Sequence, residues 1–285
     1  AAAASAGAAR RPSAGACVTR ILHLSDPHFG TEQQAVMTAL MQLVEEQRPT
    51  LALLSGDITQ RARPDQFRRA RLFMEQLGIP MLAVPGNHDM PLFNPFKRLL
   101  RPYGHYQDNF AADLEPLLET ERLLVIGVNS SRADRHKNGE LTAEQIERVE
   151  NRLRQASARQ LRLVMQHHPV RAVESSDRSN LLIGGDAVVP RWVDAGLDLL
   201  LAGHIHLPYV RPLNGQTSGR QAWTAQAGTA LSSRVRGDIP NSVNLIEHST
   251  DGPFHACSVA RWDYADTSRS FRLYSHTDLA LDRSA

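Results

Sequence analysis

The sequence predicts an α/β fold, a four-layer α/β/β/α sandwich of two mixed sheets with helices on the outer faces. Three observations carry that expectation. The first hundred residues alternate strand-like and helix-like segments as β-α-β-α-β, which calls for parallel strands joined by crossover helices. The alternation returns less regularly as far as Ala202. The last third carries hairpin signals instead.

Each element has its own reason. Val18 to Ser25 is an apolar run of strand length, and Gln33 to Glu46 sets Val36, Leu40, Leu43 and Val44 on one helical face. Leu51 to Ser55 is continuously apolar, as a strand buried on both faces should be. Asp65 to Leu77 places Phe67, Ala70, Phe73, Met74 and Leu77 at helical spacing, and Gly78 stops it. Met81 to Val84 is a third strand. Leu123 to Val128 and Leu161 to Met165 follow as strands, separated by a helix from Thr142 to Gln155 that opens with a capping-box pair, Thr142 and Gln145. Val188 to Ala195 reads as a helix and Leu197 to Ala202 as a buried strand. Beyond it, Tyr209 to Leu213 and Gln221 to Ala227 flank an Asn214-Gly215 turn, and Val243 to Glu247 and Ala256 to Trp262 flank Asp251-Gly252. Residues 1–17 are expected to be a disordered tail, 18–265 the folded domain, and 266–285 a loose polar C-terminal extension.

Composition bounds the class of protein. Of 285 residues, 42% are hydrophobic and 22% charged, which is ordinary for a globular chain with a sizeable core. The net charge of +2 implies no strong polyanion field. Of the 32 basic residues all but Lys97 and Lys137 are arginine, a bias that a GC-rich genome produces without functional cause. Cys17 and Cys257 cannot build a disulfide framework and stand in no metal-ligand spacing. No apolar run reaches membrane-spanning length, and Ala1 to Ala16 lacks the apolar core of a secretory signal. The cytoplasm is the expected compartment.

Five short blocks of ligand-type residues run down the chain: Asp26-Pro27-His28, Gly56-Asp57, Gly86-Asn87-His88-Asp89, His167-His168-Pro169 and Gly203-His204-Ile205-His206. Each follows an apolar run, so each is delivered to a sheet edge where a loop can turn side chains into a common pocket. Aspartate and asparagine oxygens mixed with neutral imidazoles suit a pair of divalent metals such as Mn, Fe, Zn or Co. Asp26 and His28 stand two apart, so in extended backbone they would point the same way and chelate one ion. Gly56 permits a tight turn out of its strand.

This ordered series resembles the calcineurin-like metallophosphoesterase superfamily, over roughly residues 20 to 265 with no motif missing. The overall layout is similar to the bacterial branch that includes the class III cyclic-nucleotide phosphodiesterases. The resemblance implies the sandwich fold and a binuclear centre. Asp26, His28, Asp57 and His206 would hold one metal, and Asp57, Asn87, His167 and His204 the other, with Asp57 bridging. Asn87 would bind through its carbonyl oxygen while its amide makes a supporting bond. The family pattern puts the ligand directly after the strand, which selects His167 and leaves His168 for substrate contact or a bond to the loop. His88 would face the scissile phosphate, protonating the leaving oxygen or stabilising charge, and Asp89 would fix the loop or the imidazole. His23 is expected to be a satisfied core residue, and His105, His136, His248, His255 and His276 loop or surface residues.

Two stretches bear on substrate choice. Met90 to Arg122 interleaves Phe93, Phe96, Tyr103, Tyr106 and Phe110 with Lys97, Arg98 and Arg101, either as a lid that stacks a base or as a helical cap that buries its aromatics. In Ser232 to Asn244, Arg234 or Arg236 could reach the substrate phosphate with Asn241 nearby, or lie on the surface of a loop. The expected function is hydrolysis of a small phosphodiester, with a phosphomonoesterase or nuclease of the same superfamily as the alternative. A scaffold without catalysis is disfavoured by the complete ligand series. The expected partner is a small phosphoester. A membrane span is not expected, an extended nucleic-acid groove has little room, and self-association is left open.

Overall fold

The structure is a computed structural model that describes residues 18–92, 95–251 and 254–283. Residues 1–17, Phe93 and Gly252 of the expected Asp251-Gly252 turn therefore lie outside the described residues, as does the side chain of Lys97. Two six-stranded mixed sheets form the centre. In the first, β1 (Val18–Leu24) pairs in parallel with β2 (Leu51–Leu54), and β2 in parallel with β3 (Met81–Ala83). The second runs β4 (Leu117–Glu119), β5 (Leu123–Gly127), β6 (Leu161–Met165), β7 (Leu199–Ala202), β9 (Gln221–Gln226) and β8 (Tyr209–Asn214). β10 (Ser242–Asp251), β11 (Phe254–Ala265) and β12 (Ser270–Leu279) return to the first sheet, β10 antiparallel to β1.

Three apolar clusters define the four layers. Ile21, Leu53, Val125, Leu163, Leu201, Ile246 and Val259 interleave from both sheets into the central layer of contact. The outer face of the first sheet is covered by α1 (Gln34–Gln47) and α2 (Pro64–Gln76), with Leu40, Phe67 and Phe73 in that cluster. The outer face of the second is covered by α5 (Ala143–Gln155) and α6 (Gly185–Asp194), around Trp192 and Val149. Strands walled by apolar residues on both faces are why Leu51 to Leu54 and Leu199 to Leu201 read as unbroken apolar runs. Thr142 caps α5 as expected, accepting from the Gln145 amide at 3.2 Å while Gln145 Oε1 accepts from the Thr142 amide at 2.8 Å.

Several expectations are corrected. The segment from 266 onward is no loose tail, because Ser270–Leu279 is a strand paired along β11. It is an edge strand with only Phe271 and Leu279 buried, so backbone pairing rather than side-chain pattern holds it. Asn214-Gly215 is not a two-residue turn. Residues 215–220 form a longer loop, and the Asp194 carboxylate gathers the amides of Gln216, Thr217 and Ser218. His248 is buried, not superficial, and stacks on His255 at 5.1 Å. His23 is the satisfied core residue expected, its Nε2 bonded to Ser55 Oγ at 2.9 Å.

The insertion after β3 is a helical cap. α3 (Pro95–Leu100) and α4 (Gly104–Asn109) carry Tyr106, and Phe110 follows α4; both rings pack against Phe67. Arg98 is buried and donates to the carbonyls of Ala133 and Arg135, whereas Phe96 is 77% exposed. Among the described residues of this segment, only Met90 and Leu92 line the cleft described below.

Trp192 is fully buried and its indole donates to the Ile146 carbonyl at 3.2 Å, joining α6 to α5. Trp192→Ala is expected to cost about 3–5 kcal/mol of stability through the cavity it leaves. Denaturant unfolding checks this, and a loss below about 1 kcal/mol would show that the helices repack freely.

Candidate metal centre

The five blocks meet at one end of the two sheets. Asp26, His28, Asp57, His167 and His168 are buried there, with His204 and His206 half-buried beside them. Backbone bonds tie the loops together: the Asp26 amide donates to the Gly56 carbonyl at 3.0 Å, His28 to Asp57 at 3.1 Å, and Gly203 to His167 at 2.9 Å. Side chains add to this. Asp26 Oδ2 accepts from the His204 amide at 2.9 Å, and Asp57 Oδ1 accepts from the His88 amide at 2.8 Å.

The local backbone is not the extended one expected for the Asp26–His28 pair. Asp26 and His28 have φ of 52° and 42°, and Asp57, His204 and His206 have φ of 50°, 75° and 56°. Five of the seven expected ligands thus sit in the left-handed region, which costs a non-glycine residue about 1–3 kcal/mol and persists only where surroundings over-determine it. Convergence comes from these turns and not from strand alternation. Glycine is required for the approach of the loops. At Gly56, φ is +97° and a Cβ would meet the His167 ring at 2.6 Å. At Gly86, a Cβ would run into the carboxylate and amide of Asp57.

Two donor groups share the carboxylates. Asp26 Oδ1 lies 3.2 Å from His206 Nε2 and 3.7 Å from His28 Nε2. Asp57 Oδ2 lies 3.7 Å from His28 Nε2, while its Oδ1 lies 3.3 Å from His167 Nε2. His204 Nδ1 is 3.3 Å from His167 Nε2. Asp57 therefore faces both groups, and Asp26–His28–His206 and Asp57–His167–His204 each bring one atom per residue within 4.8 Å of the others.

The residues fit divalent ions on direct observations. Asn87 Nδ2 donates to the His136 carbonyl at 3.3 Å, which turns Oδ1 inward, and Asn87 Oδ1 and Asp26 Oδ1 are buried without a hydrogen-bond partner. His167 Nδ1 donates to the Ser55 carbonyl at 2.8 Å and His206 Nδ1 to the Arg234 carbonyl at 2.7 Å. Those bonds fix the tautomer with the Nε2 lone pair turned to the centre. Oxygen and imidazole donors in this mixture suit Mn, Fe, Zn or Co.

The electrostatics are those of buried charges needing cations. Burial pushes Asp26 and Asp57 toward the neutral acid, but the facing imidazoles, His206 for Asp26 and His167 for Asp57, hold both carboxyls below the usual range. Burial opposes charge on His167 too, yet Asp57 raises it to about 9, and Asp26 raises His206. His28 and His204, where burial dominates, fall to about 3.

The remaining expected site residues separate. His168 is buried with both ring nitrogens engaged, Nδ1 by Ser130 Oγ at 2.8 Å and Nε2 by the Lys137 carbonyl at 2.9 Å, which leaves none for substrate or metal. Asp89 does not reach the His88 imidazole. Buried, and raised to about 6 by that burial, it accepts from the amides of Ile58, Thr59 and Gly86 and so positions the loop. His88 Nδ1 donates to the Gln60 carbonyl at 3.1 Å, and its Nε2 lies 3.4 Å from Arg234 Nη1. Arg234 also donates to Gln60 Oε1 at 3.0 Å, whereas Arg236 is bound by Asp177 and Glu174. Asn241 is buried away from the cleft and donates to the carbonyls of Thr229 and Ser232.

These groups open into a cleft of about 540 Å³. Its walls include Gln60, His136, Lys137, Asp177 and Asn180, none of which the sequence singled out as site residues. They stand in loops of no ligand spacing, and only the tertiary fold brings them to the metal centre.

In the metal-free protein a proton occupies His167 below pH 9, and a metal must displace it. Mn²⁺ affinity is therefore expected to weaken as pH falls, by up to about tenfold per unit for this one proton. Calorimetric titration at several pH values checks this, and a flat profile would remove His167 from the ligand set.

Comparison with known proteins agrees with the geometry. The chain is 28% identical over 202 residues to a protein of Synechococcus sp. named "Probable cyclic nucleotide phosphodiesterase", covering 67% of this chain and 74% of that one. It is 27% identical over 161 residues to a protein of Arcobacter nitrofigilis named "Probable glycerophosphodiester phosphodiesterase GpdQ", covering 56% of this chain and 57% of that one. The fold superposes on purple acid phosphatase PPD1 of yellow lupin, Lupinus luteus, with a TM-score of 0.70 at 11% identity, over 93% of this chain and 54% of the lupin chain. Thus the chain spans little more than half the length of the second and third of these. The calcineurin-like phosphoesterase family model matches residues 19–208, and the chain belongs to that family of hydrolases.

Proposed function

We propose that the chain is a binuclear metal-dependent phosphodiesterase acting on a small diester, a cyclic nucleotide or a comparable molecule. The observation that carries this reading is Asp57 facing both donor groups, with the buried Oδ1 of Asn87 lacking a hydrogen-bond partner among the described residues and Asp26 Oδ1 facing the imidazoles of His28 and His206. Asp26, His28, Asp57 and His206 would hold one ion, and Asp57, Asn87, His167 and His204 the other. Bound there, the ions supply charge for the phosphoryl oxygens and a water acidic enough to lose its proton near neutral pH.

The chain's own residues do the rest. His88, its Nδ1–H anchored on the Gln60 carbonyl, presents Nε2 to the cleft, and in the imidazolium form that nitrogen carries the proton that can pass to the leaving oxygen, leaving neutral imidazole. Arg234 Nη1, beside that nitrogen, offers a charged donor to a non-bridging oxygen. Asp89 keeps the Asn87–His88 turn in place by gathering the amides around it. The proposal for a diester rests on the charge set beside His88: Arg236 has Asp177 and Glu174 as partners, and Arg234 is the guanidinium aligned with His88, while Arg61 and Lys137 line the cleft as well. A singly charged diester needs no more, and both relatives are named as probable phosphodiesterases. Arg234 also supports a second reading, hydrolysis of a dianionic monoester, which would lean on that guanidinium more heavily.

The deciding experiment compares bis-p-nitrophenyl phosphate with p-nitrophenyl phosphate at one pH and one Mn²⁺ concentration. A higher kcat/KM for the diester is expected, and a clear preference for the monoester selects the second reading. His88→Ala should retain both metals while turnover falls by roughly 10²–10⁴-fold on substrates with alkoxide leaving groups. The loss should shrink for p-nitrophenyl esters, whose leaving group needs little protonation, and equal losses on both would assign His88 to charge stabilisation.

A further inference from the structure

We propose that a second pocket, separated from the cleft by the turn at Ser175–Asn180, binds a nucleoside di- or triphosphate outside the metal centre. The turn divides the two concavities: Asp177 and Asn180 line the cleft, while Arg178 and the following Leu181 line the second pocket. That pocket encloses about 740 Å³, within the range of sites that hold cofactor-sized ligands.

Its charge is what calls for an anion. Arg171, from the loop after β6, Arg178 and Arg211, on edge strand β8, bring three guanidiniums to one concavity against a single carboxylate, Asp186. The Tyr209 hydroxyl donates to the Arg171 carbonyl and ties two of these segments together. Other arginines near the cleft and on the helices do have carboxylate partners, as Arg236 has Asp177 and Arg191 has Glu150. Among the described residues none of these three has such a partner, and Arg211 Nη1 donates only to the neighbouring Val210 carbonyl, at 3.0 Å. Three exposed guanidiniums against the one carboxylate of Asp186 leave this concavity net positive, which a ligand carrying adjacent phosphoryl groups would neutralise. Guanidinium forks match phosphoryl oxygens two at a time. A bare phosphate would leave most of the volume unfilled, whereas Val170, Val173 and Leu181 offer an apolar wall for a base or ribose.

The test is titration of ADP into the metal-loaded enzyme freed of excess metal, with metal content verified afterwards. Arg178→Ala/Arg211→Ala should weaken ADP binding by at least roughly tenfold, the loss expected when two charged forks are removed. Arg178→Lys/Arg211→Lys should fall between, because charge remains while the fork is lost. Arg234→Ala, altered in the cleft, should leave this binding in place. Equal ADP affinity in wild type and Arg178→Ala/Arg211→Ala would overturn the proposal, as would a loss of ADP binding in Arg234→Ala, which would place ADP at the metal centre. An equal loss from Arg71→Ala/Arg159→Ala, on remote surfaces, would reduce the effect to general charge and also overturn it.

Discussion

Asp26 and Asp57 are buried together at the end of two packed sheets, and their need for positive charge organises everything around them. A carboxylate removed from water without compensation is costly. Among the described residues their ion-pair partners are imidazoles, those of His28, His167 and His206. Protons on His167 and His206 can meet part of that need in the metal-free chain, which is why these two are drawn upward while the equally enclosed His28 and His204 are driven down. Divalent ions would meet it more fully, and would also satisfy the inward oxygen of Asn87, which a proton on an imidazole cannot reach.

Holding such a constellation imposes conformational strain on the backbone. Five expected ligands occupy left-handed φ, a conformation their side chains disfavour. The compensation is visible in the bonds between loops, where Asp26 reaches the His204 amide, Asp57 the His88 amide, and Asp89 three amides from two different loops. Asp89 thus acts at one remove from the chemistry. Behind the loops the dry layer between the sheets, built from residues such as Leu53, Leu163 and Leu201, gives the strand ends a rigid base.

The same loop carries Arg234 and Arg236, yet one points beside His88 while the other is neutralised by Asp177 and Glu174. The cap after β3 spends Tyr106 and Phe110 on packing against Phe67, leaving Met90 and Leu92 as its contribution to the cleft. A shared fold carries many substrates, and His136, Lys137 and Asn180 line the cleft beside the candidate ligands.

The architecture and the ligand series were readable in the sequence because both depend on local pattern. Strands walled on two sides must be apolar throughout, helices on the outside must carry one apolar stripe, and ligands at strand ends must follow those runs. Where pattern and packing part, only the tertiary structure decided. β12 is polar because an edge strand needs backbone partners more than buried side chains. His167 and His168 are adjacent and chemically identical, and only the loops packed around them turn one to the centre and close both nitrogens of the other. Asp26 and His28 converge through left-handed turns that no spacing rule encodes, because φ at a non-glycine residue is dictated by the neighbouring loops and not by the residue itself.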